Sequence, residues 1–570
     1  MTELFDLIVR RGVIVDGSGA IAADGDVAVR GGRIVAVGTV AGRGREEIDA
    51  RGHIVTPGFV DIHTHYDGQI TWENTLAPSS GHGVTTVIMG NCGVGFAPVR
   101  AADREMAMAL MEGVEEIPGV VMAAGVPFNW ESFPEYLEVI ASRHCDIDFA
   151  AQLPHSPLRV YVMGERGANR EPPTDRDLAE MRRLTTEAIR AGALGVSTSR
   201  NISHRYPDGR PSPSTNSEED ELLALVGGLR DANDGVFQLN PSTTTPAAEE
   251  FALIRRLAAA SGRPVSFALV TSEEFMRGWR ILLDGVSAAA AAGVPIRGQM
   301  MPRPIAMLFG LDLTYHPFSL NPSYRPIANL PLAQKVAALR DPELRRLLLK
   351  ERPQDNSPFA EWIVSQSHNL YRLGNPPNYS PPAEDSIESV ASRLGRAQRE
   401  IIYDWLLEDD GRAILYHPLG NDNASELIGK PGTLIALGDG GAHYGSVCDA
   451  TYTTYFLLNY VCKKTSGVRL PIEQAIRMLT RDPAEAVGLG DRGILRPGYK
   501  ADLNIIDLAS LSLHAPEVRR DLPSGGRRLI QRAEGYIATV VSGVVTYQAG
   551  QSMRALPGRL VRGSRPSLSS

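Results

Sequence analysis

A short apolar run followed by two histidines constrains this chain more than any other stretch. Residues 59–62 (FVDI) follow Pro57-Gly58, a pattern that predicts a buried strand entered from a turn. His63 and His65 come next, and residues two apart on an extended strand point to the same side. The two imidazoles should project together, and imidazole nitrogen suits zinc and similar divalent ions. Two unrelated polar residues in a loop are the alternative.

From residue 57 to about 480, predicted strands of four to six residues alternate with helical segments. Repeated βα units indicate a parallel sheet of the α/β class, and their number predicts a closed (β/α)8 TIM-like barrel. The active site of such a barrel lies at the carboxyl ends of its strands, where His63 and His65 fall. A Pro-rich break at about 300–400 predicts an insertion that serves as a lid, a substrate-binding segment or a surface decoration.

Both ends of the chain are rich in predicted β-strands. Residues 1–56 are too few to stand alone, and residues 481–552 contain further strands. We expect these strands to pair into a small composite β-sandwich beside a barrel domain of residues 57–480. Residues 553–570 are predicted to be a tail that is ordered only in part.

Composition excludes several classes of partner. The net charge is −8, with both signs interspersed, which argues against nucleic acid and against an anionic membrane. No apolar run approaches the roughly 18 residues of a membrane helix, and the first ten residues lack a signal-peptide pattern. Four cysteines without CxxC spacing indicate a reducing compartment. We therefore expect a cytoplasmic protein; a homo-oligomer is one option for its assembly.

Residues 57–67 (PGFVDIHTHYD) and 83–98 (GVTTVIMGNCGVGFAP) resemble the amidohydrolase superfamily. The second run resembles the N-acyl-D-amino-acid deacylase (D-aminoacylase) branch in particular. The resemblance covers most of the chain and is weaker between about residues 230 and 420. It implies one or two divalent metal ions per chain, with zinc as the first choice. It also implies hydrolysis of a C–N amide bond in an N-acyl-D-amino acid or a related N-acyl compound.

The resemblance also assigns roles to four residues. His63 and His65 would bind the metal, and Cys92 would bind or bridge it as a thiolate, where other amidohydrolases use a carboxylated lysine. Asp439 follows an apolar strand, and a buried carboxylate at a strand end needs a partner such as a metal. It matches the final-strand aspartate that binds the metal and takes the proton from the attacking water. An inert buried cysteine and a turn carboxylate are the alternatives.

Two further histidine ligands of that branch, on the fifth and sixth strands, have no counterpart here. The predicted fifth strand carries Gln238 and Asn240 instead, and no histidine lies between His204 and His316. Amides are weak zinc ligands beside imidazole. Either one metal is bound by His63, His65, Asp439 and Cys92, or the missing ligands come from elsewhere in the chain. The candidates for such ligands are His155, His204, His417 and His443.

Other polar residues near predicted strand ends are candidates for substrate contacts. A histidine can steady an oxyanion, and an arginine can hold a carboxylate through two hydrogen bonds. We predict substrate contacts from His155, His204, His443 and Arg200, with His417, Arg205 and Arg303 as further candidates. Each histidine taken alone is more often a polar loop residue or a substrate contact than a metal ligand, and surface arginines are common.

The sequence thus predicts hydrolysis of a small-molecule amide by metal-activated water, with Asp439 as general base and then general acid. A cyclic amide, an imide or an amide-linked natural product would use the same chemistry. A third hypothesis is a metal-free barrel that serves as a binding or structural subunit.

Overall fold

Eight parallel strands form a barrel in which neighbours in the chain are neighbours in the sheet. The structure is a computed structural model that describes residues 4–273, 276–354, 358–365, 369–462 and 468–566. The barrel strands are Phe59–Asp61, Val84–Met89, Asp148–Pro154, Gly195–Ser199, Val236–Asn240, Val265–Ala268, Ile296–Met300 and Thr433–Ile435. Just beyond the first and eighth strands, Thr64 bridges Gly440, and the N–H of His65 donates to the Gly440 carbonyl at 2.7 Å. The predicted (β/α)8 barrel is confirmed.

Helices cover the outside of the barrel, so its strands are buried on both faces. All six residues of Val84–Met89 are buried, as expected for a continuous apolar run. The helix Asp175–Ala191 shows how sequence sets the limits: Thr174 and Asp177 form a capping box, and Gly192 ends it at φ 112°. The helices outside the insertion are Gln69–Trp72, Arg104–Glu115, Gly119–Gly125, Phe133–Ala141, His155–Met163, Glu165–Ala168, Asp175–Ala191, Glu219–Ala232, Ala247–Ser261, Trp279–Ala291, Tyr452–Phe456, Ile472–Leu479 and Arg481–Ala486.

Strands from both ends of the chain share one nine-stranded sheet. Ile54–Pro57 pairs antiparallel with Leu503–Ile506, which joins the two ends. The strands of this sheet are Leu4–Ile14, Ala23–Arg30, Arg33–Gly38, Arg43–Asp49, Ile54–Pro57, Leu503–Ile506, Tyr536–Val541, Val544–Gln548 and Gln551–Ser552. The domain limits at 56, 481 and 552 remain predictions. Ala484, beyond the limit at 481, packs with barrel residues such as Val60.

One C-terminal segment leaves this sheet and reaches the carboxyl face of the barrel. Ser512–Leu513 pairs with Ala533–Glu534, and Glu517–Leu522 forms a hairpin with Gly526–Ile530. The N–H of Leu529 donates to the Tyr444 carbonyl at 2.7 Å, beside the loop that follows Asp439.

The C-terminal tail packs along the barrel through residue 566. Gly558 bridges Cys145, Leu560 bridges Phe149, and Arg565 bridges Leu489. The last four residues of the predicted tail lie outside the described residues. No helix in the described ranges has the length and apolarity needed to cross a bilayer.

The insertion is longer than the predicted span of 300–400. It leaves after the seventh barrel strand and returns only before the eighth, because Leu415–Gly420 pairs within the insertion. Its strands are Ile305–Phe309, Tyr371–Arg372 and Leu415–Gly420, and its helices are Leu332–Leu339, Pro342–Lys350, Pro358–Ser365, Ile387–Leu394 and Gln398–Leu406. It has its own hydrophobic cluster, which includes Leu348. The N–H of Leu308 donates to the Ser446 carbonyl at 2.7 Å, so the insertion borders the loop after Asp439.

Candidate metal centre

Four predicted ligands meet at the carboxyl end of the barrel. His63 and His65 follow the first strand, Cys92 follows the second, and Asp439 follows the eighth. Cys92 Sγ lies 3.3 Å from His63 Nε2 and 3.9 Å from His65 Nε2. Asp439 Oδ1 lies 3.5 Å from the Nε2 atom of each imidazole. The strand ends therefore bring two nitrogens, a sulfur and an oxygen to one point.

The spacing and chemistry of these atoms fit a divalent ion. With zinc–ligand bonds of about 2.0–2.3 Å, a tetrahedral site places its ligand atoms about 3.3–3.8 Å apart. Asp439 Oδ1 is buried without a hydrogen-bond partner, and a metal would satisfy it. The ligand atoms of His63, His65 and Cys92 all lie within 4.8 Å of one another, and no other such group occurs among the described residues.

Outer hydrogen bonds orient the ligands. Burial lowers the pKa of His63 to about 4, so the ring is neutral at neutral pH. Its Nδ1 lies 2.7 Å from Gln299 Oε1, and donation there leaves Nε2 as the metal-facing acceptor.

Two amides hold Cys92. The Cys92 N–H donates to Gln238 Oε1 at 3.2 Å, and Asn240 Nδ2 donates to Sγ at 3.1 Å. Burial raises the pKa of the Cys92 thiol to about 11, but a coordinating thiol is deprotonated by the metal. Gln238 and Asn240 lie on the fifth strand, where the resemblance implied a histidine ligand. In this chain they position the Cys92 thiol instead.

The structure brings His204 and His443 to the rim of this centre. His204 Nδ1 is buried without a hydrogen-bond partner. Burial and the charges of His65 and His443 lower the pKa of His204 to about 3, so it is a neutral imidazole within electrostatic reach of the ligands. His443 Nδ1 lies 3.3 Å from Glu116 Oε2. Burial lowers the pKa of His443, but the hydrogen bond to Glu116 and the negative charges of Glu116, Glu115 and Asp439 together outweigh this and raise it to about 9.

His155 and Arg200 are engaged elsewhere. His155 Nδ1 lies 2.8 Å from Thr198 Oγ1, and its Nε2 lies 2.9 Å from Glu221 Oε1. Both nitrogens of His155 are therefore occupied by protein groups. Arg200 donates to Glu250 Oε1 at 3.0 Å and to the Ser217 carbonyl. These partners lie far away in sequence, which is why local patterns did not reveal them.

The buried network around Glu221 yields a stability prediction. Glu221 also accepts from Arg159 Nε at 2.7 Å, and all three side chains are buried. Glu221→Ala should lower the free energy of unfolding by about 3–5 kcal/mol, because Arg159 would stay buried without its counter-charge. Thermal unfolding of this variant beside the exposed-site control Glu218→Ala measures the loss. Equal midpoints for the two variants would contradict the prediction.

The remaining candidates also have structural partners. Arg303 is buried, pairs with Asp449 and lies 4.4 Å from the Tyr379 ring centroid. Arg205 donates to the Gly209 carbonyl at 2.9 Å. His417 stacks on Phe309 within the insertion, with ring centroids 5.7 Å apart.

Three residues around the centre escaped sequence reasoning: Gln299, Glu115 and Glu116. Gln299 is the residue before the last in the barrel strand Ile296–Met300, and a buried polar residue at that place is a signal that could have identified it. Glu115 and Glu116 end a surface helix with ordinary amphipathic patterning, and no local feature distinguishes them from solvated carboxylates.

The chain is similar to known proteins over most of its length. The chain is 27% identical to an N-acyl-D-aspartate deacylase of Alcaligenes xylosoxydans xylosoxydans, over 89% of this chain and 86% of the relative. It is 25% identical to a D-aminoacylase of the same organism, over 90% of each chain. A solved D-aminoacylase with a binuclear metal center shares the fold, with a TM-score of 0.66, 22% identity, and coverage of 98% of this chain and 100% of that one.

The family assignment rests on most of the chain. Residues 46–547 match the amidohydrolase family. This agrees with the predicted resemblance to the D-aminoacylase branch, which is confirmed by the relatives above. The chain belongs to the amidohydrolase family and is a hydrolase that acts on carbon–nitrogen bonds other than peptide bonds.

Proposed function

We propose that the protein is a metal-dependent deacylase of an N-acyl-D-amino acid or a related N-acyl compound. The observation that carries this proposal is the convergence of His63, His65, Cys92 and Asp439 on one point. Because the chain has Gln238 and Asn240 where the branch implies a further histidine, and both bind Cys92, we infer one zinc ion per chain.

The mechanism assigns separate tasks to the residues of the chain. When bound, the ion lowers the pKa of a water molecule and polarises the amide carbonyl. Asp439 takes the proton from the attacking water at its carboxylate and then gives it to the leaving nitrogen. Burial raises the pKa of Asp439, but the neighbouring imidazoles of His65 and His63 outweigh this and lower it, so the carboxylate is ionised, which is the form that can accept a proton.

His204 and His443 are the proposed substrate contacts. Both are partly exposed, and groups of the centre shift the pKa of each. The neutral ring of His204 can donate one hydrogen bond to an amide oxygen that gains negative charge. His443 Nε2 lies 3.7 Å from Glu115 Oε2, which is beyond hydrogen-bond distance, so it can donate to a second polar group of the substrate while Glu116 holds Nδ1. The role of His204 does not require its ring to be charged.

One observation favours a second candidate, a cyclic amide or imide. Arg200 and Arg303, which the sequence suggested for a substrate carboxylate, are each paired with a protein carboxylate, Glu250 and Asp449. A substrate without a free carboxylate would need neither arginine. Hydrolysis of a cyclic imide in preference to N-acyl-amino acids would support this candidate.

The test of the proposed function is a hydrolysis assay on zinc-loaded protein. N-acetyl-D-amino acids with acidic, neutral and apolar side chains are compared with their L-enantiomers and with a cyclic imide, and acetate or amine release is measured. D-selective release of acetate supports the deacylase. Hydrolysis of the imide alone would favour the cyclic imide over an N-acyl-D-amino acid as the substrate class. If the zinc-loaded enzyme hydrolyses no amide, the proposal is contradicted.

A further inference from the structure

The buried carboxylate of Glu115 lies between two imidazoles of the site. Glu115 is the last residue of the helix Arg104–Glu115, outside the barrel sheet, and its side chain is 2% exposed. Its Oε1 lies 3.3 Å from His65 Nδ1, and its Oε2 lies 3.7 Å from His443 Nε2. Both atoms of the shorter contact, His65 Nδ1 and Glu115 Oε1, are buried, and neither makes a well-formed hydrogen bond to any described group. The carboxylate thus faces the outer nitrogen of a predicted ligand.

The next residue fixes the same loop from the other side. Glu116 adopts a left-handed conformation at φ 54°, which turns its side chain back toward the barrel. Its Oε2 lies 3.3 Å from His443 Nδ1 and accepts the hydroxyl of Ser446. The backbone N–H of His443 donates to the backbone carbonyl of Glu115 at 2.6 Å. The end of this helix therefore holds the loop that follows Asp439.

A structural role alone does not account for a carboxylate at this position. Burying an ionised acid is costly unless a counter-charge is present, and no arginine or lysine among the described residues pairs with Glu115. Its partners are the two imidazoles. A ligating histidine commonly donates its other N–H to a carboxylate, which fixes the tautomer and makes the ligating nitrogen more basic.

We propose that Glu115 and Glu116 are a pair of positioning residues for this centre. Glu115 fixes His65 in the tautomer that turns Nε2 toward the metal, and Glu116 orients His443 at the rim, where substrate binds. The inference rests on the proposed function. It adds that two neighbouring residues at the end of one helix outside the barrel orient a metal ligand and a substrate-binding histidine, respectively.

The experiment compares Glu115→Gln, Glu116→Gln and Glu112→Gln by zinc affinity, in competition with a chelator, and by steady-state kinetics on the substrate found above. Glu112 lies on the same helix, and its exposed carboxylate accepts the Gly119 N–H at 3.0 Å, so it is the matched control. Glu115→Gln should bind zinc about 10–100-fold more weakly. Glu116→Gln should keep the wild-type zinc affinity and show a raised KM, and Glu112→Gln should change neither.

The outcomes separate this inference from the proposed function. Wild-type zinc affinity in a folded Glu115→Gln protein would overturn the inference while leaving the metal centre intact. A wild-type protein that binds no zinc would overturn both. Should Glu115→Gln not fold, nitrogen NMR of zinc-loaded wild type with labelled histidine decides the matter. Nδ1 protonated and Nε2 ligated at His65 supports the inference, and the opposite tautomer overturns it.

Discussion

Replacing both histidines of the first strand, His63→Ala with His65→Ala, should abolish stoichiometric zinc binding and reduce hydrolysis to background. Their Nε2 atoms are two of the four predicted ligand atoms, and each lies close to both Cys92 Sγ and Asp439 Oδ1. Without them, only one sulfur and one carboxylate oxygen remain to hold the ion. Zinc affinity should fall by more than the factor of about 10–100 that is typical when only the outer hydrogen-bond partner of a ligand is lost. Zinc content after gel filtration and the rate of amide hydrolysis measure the two effects.

The matched control removes two histidines outside the centre, His144→Ala with His514→Ala. His144 is exposed, and His514 lies 2.9 Å from Glu534 on the C-terminal segment. This variant should bind zinc and hydrolyse substrate as the wild type does. Retention of one zinc by the His63/His65 variant would place the metal elsewhere in the chain.

Asp439→Asn should lower kcat by about 10²–10⁴-fold, the usual contribution of a general base. The amide is nearly the same size as the carboxylate but cannot accept the proton of the attacking water. His63, His65 and Cys92 remain, so the variant should still bind zinc, although more weakly. Single-turnover kinetics on zinc-saturated protein separate the chemical step from metal loss. A kcat within about threefold of wild type, a change far smaller than that range, would exclude Asp439 as the base.

Residues whose environment is set by their own strand could be predicted from the sequence. His63, His65, Cys92 and Asp439 each stand just after a buried apolar run, and parallel strands deliver such residues to one end of a barrel. Their convergence followed from the period of the strand and from the closure of the sheet. The resemblance supplied the role of Cys92, which no spacing in this chain indicates.

Residues whose environment is set by distant partners could not be predicted in this way. The sequence predicts a substrate contact for Arg200, yet Glu250, fifty positions later, pairs with it. His155 similarly meets Glu221, sixty-six positions away. The sequence around a polar residue at a strand end is the same whether its partner is a bound ligand or a carboxylate on a helix that packs beside the strand. Only the packing of the helices on the barrel distinguishes these cases.

The insertion illustrates a different limit. The sequence predicts that it returns near residue 400, yet Leu415–Gly420 pairs with Ile305–Phe309 and extends the insertion to the eighth barrel strand. An apolar run predicts a strand but does not say which sheet it joins. The contact between Leu308 and Ser446 then sets the insertion beside the loop that carries His443.

The most direct test of the account is elemental analysis of the purified protein, before and after reconstitution with zinc. One cluster among the described residues has the geometry of a metal site. The account therefore predicts one zinc ion per chain that is removed by a strong chelator together with the hydrolytic activity and restored with it. A protein that hydrolyses amides at full rate without any metal, or that binds none after reconstitution, would contradict it.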